Sequence, residues 1–215
     1  MDEELHPGAT DGTNAHLTLH DARCLLLEHG SPKEPWVEHC HQVAKVAHHI
    51  GAALLQAGQD LDLELLEVRA LLHDIGRTKT HGALHGWSGY VLLKNEGFAR
   101  EGRGCLTHWL KGRAIEEVRD NPIWESSLAE KAFAALDPPQ WELPDSVMSV
   151  ADSCVQHTTV VPMHERHRDL NERYGESEWL RRAAELAEAQ AAEIEAILGF
   201  PLEDLLAPLH GNGLK

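Results

Sequence analysis

The stretch of residues 68–75 constrains this chain more than any other, because it is almost wholly apolar and yet contains a histidine and an aspartate. Its sequence is Val-Arg-Ala-Leu-Leu-His-Asp-Ile, and Gly76 follows it. A helix that is apolar on most sides is deeply buried, and the predicted helix runs over residues 63–75. A buried carboxylate without a partner is costly, so Asp74 needs a cation, a cluster of donors or a metal ion. A helix-capping pair of His73 and Asp74 is the alternative.

Two further helices are predicted to carry polar residues into the same interior. His39 lies four residues before Val43 at the edge of a helical apolar stripe. Asp152 lies four residues after Met148 in the stripe of another helix. Two histidines and two carboxylates that face inward need a shared cation. This mixture of ligands favours an octahedral site for iron, manganese, cobalt or magnesium over a thiolate zinc site.

These residues resemble the motif of the HD-domain superfamily of metal-dependent phosphohydrolases. The family pattern is a histidine in an H-S/C-x-x-V-A context, then H-D-I-G, then a distal aspartate in an A-D context. The matching segments begin at His39 (HCHQVA), His73 (HDIG) and Val150 (VADS), and the resemblance covers roughly residues 18–158. Arg77 stands where the family commonly has lysine. The chain looks most like the small stand-alone archaeal-type HDIG proteins, which implies an HD-type helical bundle and metal ligation by His39, His73, Asp74 and Asp152.

The resemblance extends to two more histidines. His85 opens a stretch similar to the family's H-x-x-x-G-x-x-x-L, and His108 in CLTHW is similar to the later histidine of dinuclear members. This set implies a second metal ion that is bridged to the first through Asp74. The alternative is that both histidines contact only the substrate phosphate. The implied cofactors are two divalent transition-metal ions, with iron or manganese expected first and cobalt, nickel or magnesium as alternatives.

Basic residues stand next to the predicted ligands. The chain has 35 acidic against 19 basic residues and a formal net charge of −16, so cations beside the ligands predict a locally positive cleft for phosphate. Arg77 and Lys79 are assigned to catalysis together with His73 and Asp74. The candidate substrate contacts are His81, His85, His108, Lys111 and Arg113.

The function implied by the resemblance is hydrolysis of a phosphomonoester or phosphodiester in a small nucleotide-like molecule by metal-activated water. The alternatives are a dinuclear-iron oxygenase, as some HD proteins are, and a non-catalytic metal- or nucleotide-binding module. The acidic net charge argues against binding to bulk nucleic acid or to anionic membranes. Four cysteines without a CxxC motif, no long apolar run and no visible secretory signal predict a cytoplasmic protein.

The predicted organisation is a flexible tail (1–16), an HD domain (17–160) and a helical extension (161–215) that packs on the HD domain. An irregular excursion (111–144) interrupts the domain and contains one helix, over residues 127–136. Three tryptophans near it, Trp109, Trp124 and Trp141, are interpreted as core residues or as a wall that stacks on a base. No strand-like alternation is visible, so the fold class is all-α. A homo-oligomer is left open as an alternative to a monomer.

Overall fold

The computed structural model describes residues 16–121 and 125–211, and the regular structure in these ranges is almost entirely helical. The α-helices are α1 (Leu19–His29), α2 (Pro35–Gln56), α3 (Leu63–Leu72), α4 (His85–Asn95), α5 (Ala99–Leu110), α6 (Ile115–Arg119), α7 (Ser126–Ala134), α8 (Leu143–Ser153), α9 (Met163–Tyr174), α10 (Glu178–Leu198) and α11 (Leu202–Leu206). Two 3-10 turns (Ile75–Thr78 and Ala207–Leu209) and a hairpin of β1 (Val155–Gln156) and β2 (Thr159–Val160) complete the described fold. The all-α prediction is confirmed. Residues 1–15 of the predicted tail lie outside the described residues.

Local signals explain where several helices begin and end. Thr18 caps α1: its side chain accepts a hydrogen bond from the Asp21 amide, and the Asp21 carboxylate accepts one from the Thr18 amide. The Ser177 side chain caps α10 by accepting a hydrogen bond from the Leu180 amide, and Gly199 ends this helix with a left-handed φ of 80°.

The core lies between α2 and the helices that surround it. α2 packs against α3 and α8, while α5 packs against α3, α4 and α8. The apolar stripe predicted for α2 is fully buried in this core, and its members Cys40, Val43, Ala47, Ile50 and Leu54 are all 0% exposed. Burial of an apolar side chain stabilises the fold by about 1.5–3 kcal/mol, so this stripe fixes the position of α2 and of the polar residues on its edge.

The end of α3 differs from the prediction. The helix ends at Leu72 rather than near Ile75, because Asp74 leaves the helical conformation (φ −102°, ψ 9°) and the chain continues as the 3-10 turn. His73 and Asp74 therefore lie at the C-terminal end of a buried helix, where side chains can reach a shared centre. The glycine that follows, Gly76, allows this turn to lie against α4.

The excursion over residues 111–144 contains two described helices, α6 and α7, instead of the one predicted. A buried ion pair anchors its end to the core: the Arg103 guanidinium donates from Nε and Nη2 to the two oxygens of Asp145, at 2.8 and 2.6 Å. Arg103 also donates to the carbonyl oxygens of Pro138 and Gln140, at 2.5 and 2.8 Å. One arginine of α5 thus holds both the returning loop and the start of α8.

The hairpin corrects the prediction that no strand occurs. α8 ends at Ser153, and two-residue strands pair Val155 with Val160 and Gln156 with Thr159. Strands of two residues are too short to show an alternating pattern. After the hairpin, α10 packs against α8, and α11 packs against α2. In the described ranges, no helix combines the length and the apolarity that crossing a membrane requires.

Candidate metal centre

The six predicted ligands come together from five helices. His39 lies on α2, His73 and Asp74 end α3, His85 begins α4, His108 lies on α5 and Asp152 on α8. Five of the side chains are at most 14% exposed, and His85 is 16% exposed. These six residues lie close together because the five helices that carry them meet in the core.

The first group of ligand atoms contains His39, His73 and Asp152, together with Asp74. The distance from His39 Nε2 to Asp152 Oδ1 is 3.2 Å. His73 Nε2 lies 3.8 Å from Asp152 Oδ1 and 3.8 Å from Asp74 Oδ2. These separations are of the size expected for atoms that share one ion, because ligands at about 2.0–2.2 Å from a metal lie roughly 3–4 Å apart.

The second group lies on the other oxygen of Asp74. Asp74 Oδ1 is 3.2 Å from His85 Nε2 and 3.6 Å from His108 Nε2, and the two nitrogens are 3.1 Å apart. Asp74 therefore directs Oδ2 towards the first group and Oδ1 towards the second. A carboxylate in this position can bridge two cations.

All four histidines are oriented by backbone carbonyl groups. In each of them the ring Nδ1 contacts a carbonyl oxygen: His157 O for His39, Ala70 O for His73, Gly82 O for His85 and Gly104 O for His108, at 2.7, 2.7, 2.9 and 3.1 Å. A carbonyl only accepts hydrogen bonds, so Nδ1 carries the proton and Nε2 keeps its lone pair. Metal-binding histidines are held in the same way in known sites.

The electrostatics of the cluster also fit metal binding. His73 Nε2 and Asp74 Oδ1 are buried and form no hydrogen bond within the described residues, which is costly unless an ion occupies them. Burial lowers the pKa of His73 and of His108. Burial opposes ionisation of Asp74, but His73 and Arg77 outweigh it and lower the pKa of that carboxyl. Near neutral pH, His73 and His108 are thus neutral imidazoles and Asp74 is a carboxylate, the forms that bind metals.

Two of the predicted cations contact the two carboxylates. Arg77 Nε donates to Asp74 Oδ2 at 2.5 Å. Lys111 Nζ donates to Asp152 Oδ2 at 3.0 Å and to Ser153 Oγ at 3.1 Å. Lys111 reaches this position from the C-terminal end of α5, where it adopts a left-handed φ of 53°. Both cations also line the cavity in front of the cluster.

Comparison with known proteins agrees with this geometry. A family model described as HD domain matches residues 36–156, which is more than half of the chain. The chain belongs to the HD domain family. It is also 28% identical over 145 residues to an uncharacterised protein of Methanocaldococcus jannaschii, covering 66% of this chain and 78% of the relative. No solved structure matches the chain. HD domains are generally metal-dependent hydrolases. Within the described residues, two overlapping groups have ligand atoms close enough to hold a metal ion: His39, His73 and Asp152, and His73, Asp74 and His108.

Two predicted phosphate contacts lie elsewhere in this HD domain. Lys79 lines a separate cavity with His29 and Trp87. Arg113 is buried; its guanidinium stacks 3.6 Å from the centre of the Trp179 ring and donates to the Trp179 carbonyl oxygen at 2.7 Å. Nearness in sequence to a predicted ligand does not determine the direction of a side chain, and neither residue lines the cavity of the cluster. His81, in contrast, lines the cavity of the metal centre.

The cavity in front of the HD-domain ligands has a volume of about 520 Å³. Part of its wall comes from residues that were not predicted as site residues: Trp36, Arg166, Leu170, Arg173, Tyr174, Trp179 and Leu180. The spacing of residues 166, 170 and 173 indicates that they share one face of a helix, but it does not indicate that this face lines the cavity. Of the three tryptophans near the excursion, Trp109 lines the cavity, Trp141 donates to Ser146 Oγ at 2.9 Å, and Trp124 lies outside the described residues.

Proposed function

We propose that this HD domain hydrolyses a phosphomonoester or phosphodiester bond of a small nucleotide-like substrate, with two divalent metal ions. The observation that carries the proposal is the convergence of four histidine Nε2 atoms on Asp74 and Asp152, with each Nδ1 oriented by a backbone carbonyl. His39, His73, Asp74 and Asp152 would hold one ion. Asp74, His85 and His108 would hold the other.

The charges at the cluster favour a phosphate. Asp74 and Asp152 are matched one to one by Arg77 and Lys111, so the four side chains together carry no net charge. Divalent ions, when bound, would add positive charge for a phosphoryl oxygen and lower the pKa of a water molecule towards neutrality. In the proposed reaction Arg77 orients the phosphate from the cavity side, and Lys111 holds Asp152 in its ionised form.

The cavity favours a small substrate with an aromatic part. Its volume is in the range of small-molecule sites. Trp36, Trp109 and Trp179 lie in its wall, and the face of an aromatic ring is suited to stack on a nucleobase. The same wall leaves little room for a long polymer, in agreement with the acidic net charge of −16.

The proposal is tested by metal analysis combined with a panel of phosphoesters. The protein is purified without chelator, and its metal content is measured. Phosphate release from nucleoside mono- and diphosphates, and conversion of cyclic phosphates to monophosphates, are followed with and without oxygen. We expect close to two metal ions per chain and hydrolysis of at least one of these substrates in the strict absence of oxygen, because hydrolysis uses water alone. The Arg77→Ala variant should lose about tenfold to a hundredfold or more in kcat/KM.

Lys79→Ala is the matched control, since Lys79 lies in the neighbouring turn but faces another cavity. Its activity should equal that of the wild type. Oxygen uptake coupled to substrate loss, without anaerobic turnover, would overturn the proposal and favour the oxygenase. Two bound metals without either activity would favour a binding module.

A further inference from the structure

A second set of cations lines the same cavity, on α9. Arg166, Leu170, Arg173 and Tyr174 all line the cavity, and their spacing of four, three and one residues corresponds to one face of a helix. This helix lies outside residues 36–156, which the HD domain family matches. The wall is therefore built by the C-terminal extension of this chain.

The buried carboxylate of Asp169 contacts both Arg166 and Arg173. Asp169 Oδ2 accepts a hydrogen bond from Arg166 Nη1 at 3.1 Å, and it forms an ion pair with Arg173 Nη2 at 2.8 Å. The ring of His157 approaches the other oxygen, with Nε2 at 3.7 Å from Asp169 Oδ1. Asp169 is only 9% exposed. Both guanidinium groups are thus held close to each other although they repel, and a rigid carboxylate fixes their positions.

The charges on this wall do not balance. One carboxylate faces two arginines, so at least one positive charge is uncompensated among the contacts described here. Each guanidinium contacts Asp169 through one terminal nitrogen, which leaves its other N–H groups for a ligand in the cavity. Arginine binds phosphate oxygens through such paired donors. At the metal centre, by comparison, each cation already has its own carboxylate.

The wall is also connected to the metal centre by one residue. The carbonyl oxygen of His157 accepts the Nδ1 hydrogen bond of His39 at 2.7 Å, while its ring faces Asp169. His157 adopts a left-handed φ of 53° in the turn of the hairpin, a conformation that is uncommon for a residue with a side chain. The hairpin therefore sets the distance between the arginines and the ligands.

From these contacts we infer that Arg166 and Arg173 form an anion subsite for a second phosphate of the substrate, remote from the phosphate that reacts. This inference rests on the proposed function for the identity of the reacting group. It narrows the substrate class to small molecules with two separate phosphates and an aromatic group, such as nucleoside bisphosphates. Asp169 is a positioning residue in this subsite.

Binding is measured with adenosine 3′,5′-bisphosphate and AMP, which differ by one phosphate. The full-length protein as purified is mixed with each nucleotide in a stopped-flow instrument, and the dissociation constant is taken from tryptophan fluorescence before turnover. The wild type should bind the bisphosphate at least about tenfold more tightly than AMP, and Arg166→Gln and Arg173→Gln should each lose about tenfold in bisphosphate affinity.

Arg168→Gln is the matched control, because Arg168 lies on α9 but is 65% exposed and pairs with Glu172. It should bind both nucleotides like the wild type. Arg166→Lys keeps a charge at the same place and is expected to bind the bisphosphate with intermediate affinity. Circular dichroism verifies that each variant is folded. Equal affinity of the wild type for the two nucleotides, or bisphosphate affinity unchanged in both glutamine variants, would overturn the subsite.

Failure of the subsite and failure of the proposed function give different results. Hydrolysis of a phosphoester with no effect of Arg166→Gln or Arg173→Gln on bisphosphate binding would remove the subsite and leave the hydrolase. Arginine-dependent binding of the bisphosphate without hydrolysis of any phosphoester would support the subsite and remove the hydrolase. If both hold, the ratio of kcat/KM for the bisphosphate over AMP should fall about tenfold in either variant.

Discussion

Gly76 lies so close to His85 that a Cβ atom at Gly76 would be 2.0 Å from the carbonyl oxygen of His85 and 2.4 Å from the amide nitrogen of Gly89. Real Cβ contacts are not found at such distances, so only glycine allows the 3-10 turn after Asp74 to lie against α4. The glycine of the HDIG motif is thus a packing requirement. It brings the turn that carries Asp74 next to the helix that carries His85.

We therefore expect Gly76→Ala to displace α4 and to separate His85 from Asp74. The variant should bind about one metal ion per chain less than the wild type and should unfold at lower denaturant concentration. Metal analysis and urea denaturation measure the two effects. Gly82→Ala is the control, since a Cβ there would meet only Thr80 Oγ1, at 3.3 Å. Equal loss of metal in both variants would contradict this account.

The second prediction concerns the two groups of ligands. Replacing His85 and His108 by alanine removes both nitrogens that face Asp74 Oδ1, but it leaves His39, His73 and Asp152 in place. The double variant should therefore retain about one metal ion per chain where the wild type holds two. If both proteins hold one ion, the two histidines are substrate contacts rather than ligands, and the site is mononuclear.

The third prediction concerns Asp74, which contacts both groups. Asp74→Asn keeps the shape of the side chain and removes its charge, so the variant should lose both metal ions and nearly all activity. Its helical content should be retained, because a neutral amide costs less to bury than a carboxylate deprived of cations. Metal analysis and far-ultraviolet circular dichroism test this. Full metal content and turnover in Asp74→Asn would show that Asp74 only caps the helix.

The ligands could be predicted from the sequence because helical periodicity and a short motif place them. The stripe of α2 shows that His39 faces inward, and the apolar helix α3 shows that His73 and Asp74 are buried. The cavity wall could not be predicted in this way. Arg166 and Arg173 reach the cavity because of the path that the chain takes after the hairpin. That path depends on long-range contacts, such as the hydrogen bond from His39 to the backbone of His157.

The direction of side chains outside the regular helices also could not be predicted from the sequence. Lys79 and Arg113 follow predicted ligands closely along the chain, yet the first faces another cavity and the second stacks on Trp179. Lys111, two residues before Arg113, reaches Asp152 because its φ of 53° turns the chain at the end of α5. Lys111 and the following Gly112 both have a positive φ, 53° and 80°, and spacing alone does not reveal this turn.

The fourth prediction concerns the ion pair of Arg103 and Asp145, in which each side chain is 2% exposed. Asp145→Asn removes one partner and leaves the guanidinium uncompensated in the core, so we expect it to lower the free energy of unfolding by about 3–5 kcal/mol. The double variant Arg103→Met and Asp145→Leu should cost less than the sum of its single changes. Urea denaturation measures these values. Arg119→Ala, which breaks an exposed pair with Glu130, should change stability little.

The last prediction uses the four cysteines as probes of the packed core. Cys24 is exposed, whereas Cys40, Cys105 and Cys154 are buried. Burial raises the pKa of all three buried thiols, that of Cys154 to about 12. Since the thiolate is the reactive form, the buried groups should not react at pH 8. Iodoacetamide should therefore modify one thiol in the native protein, none in Cys24→Ser, and four in the denatured wild type, as counted by mass spectrometry. Rapid modification of Cys40 or Cys105 in the native protein would mean that the helices around the metal centre, α2 and α5, are less tightly packed than described here.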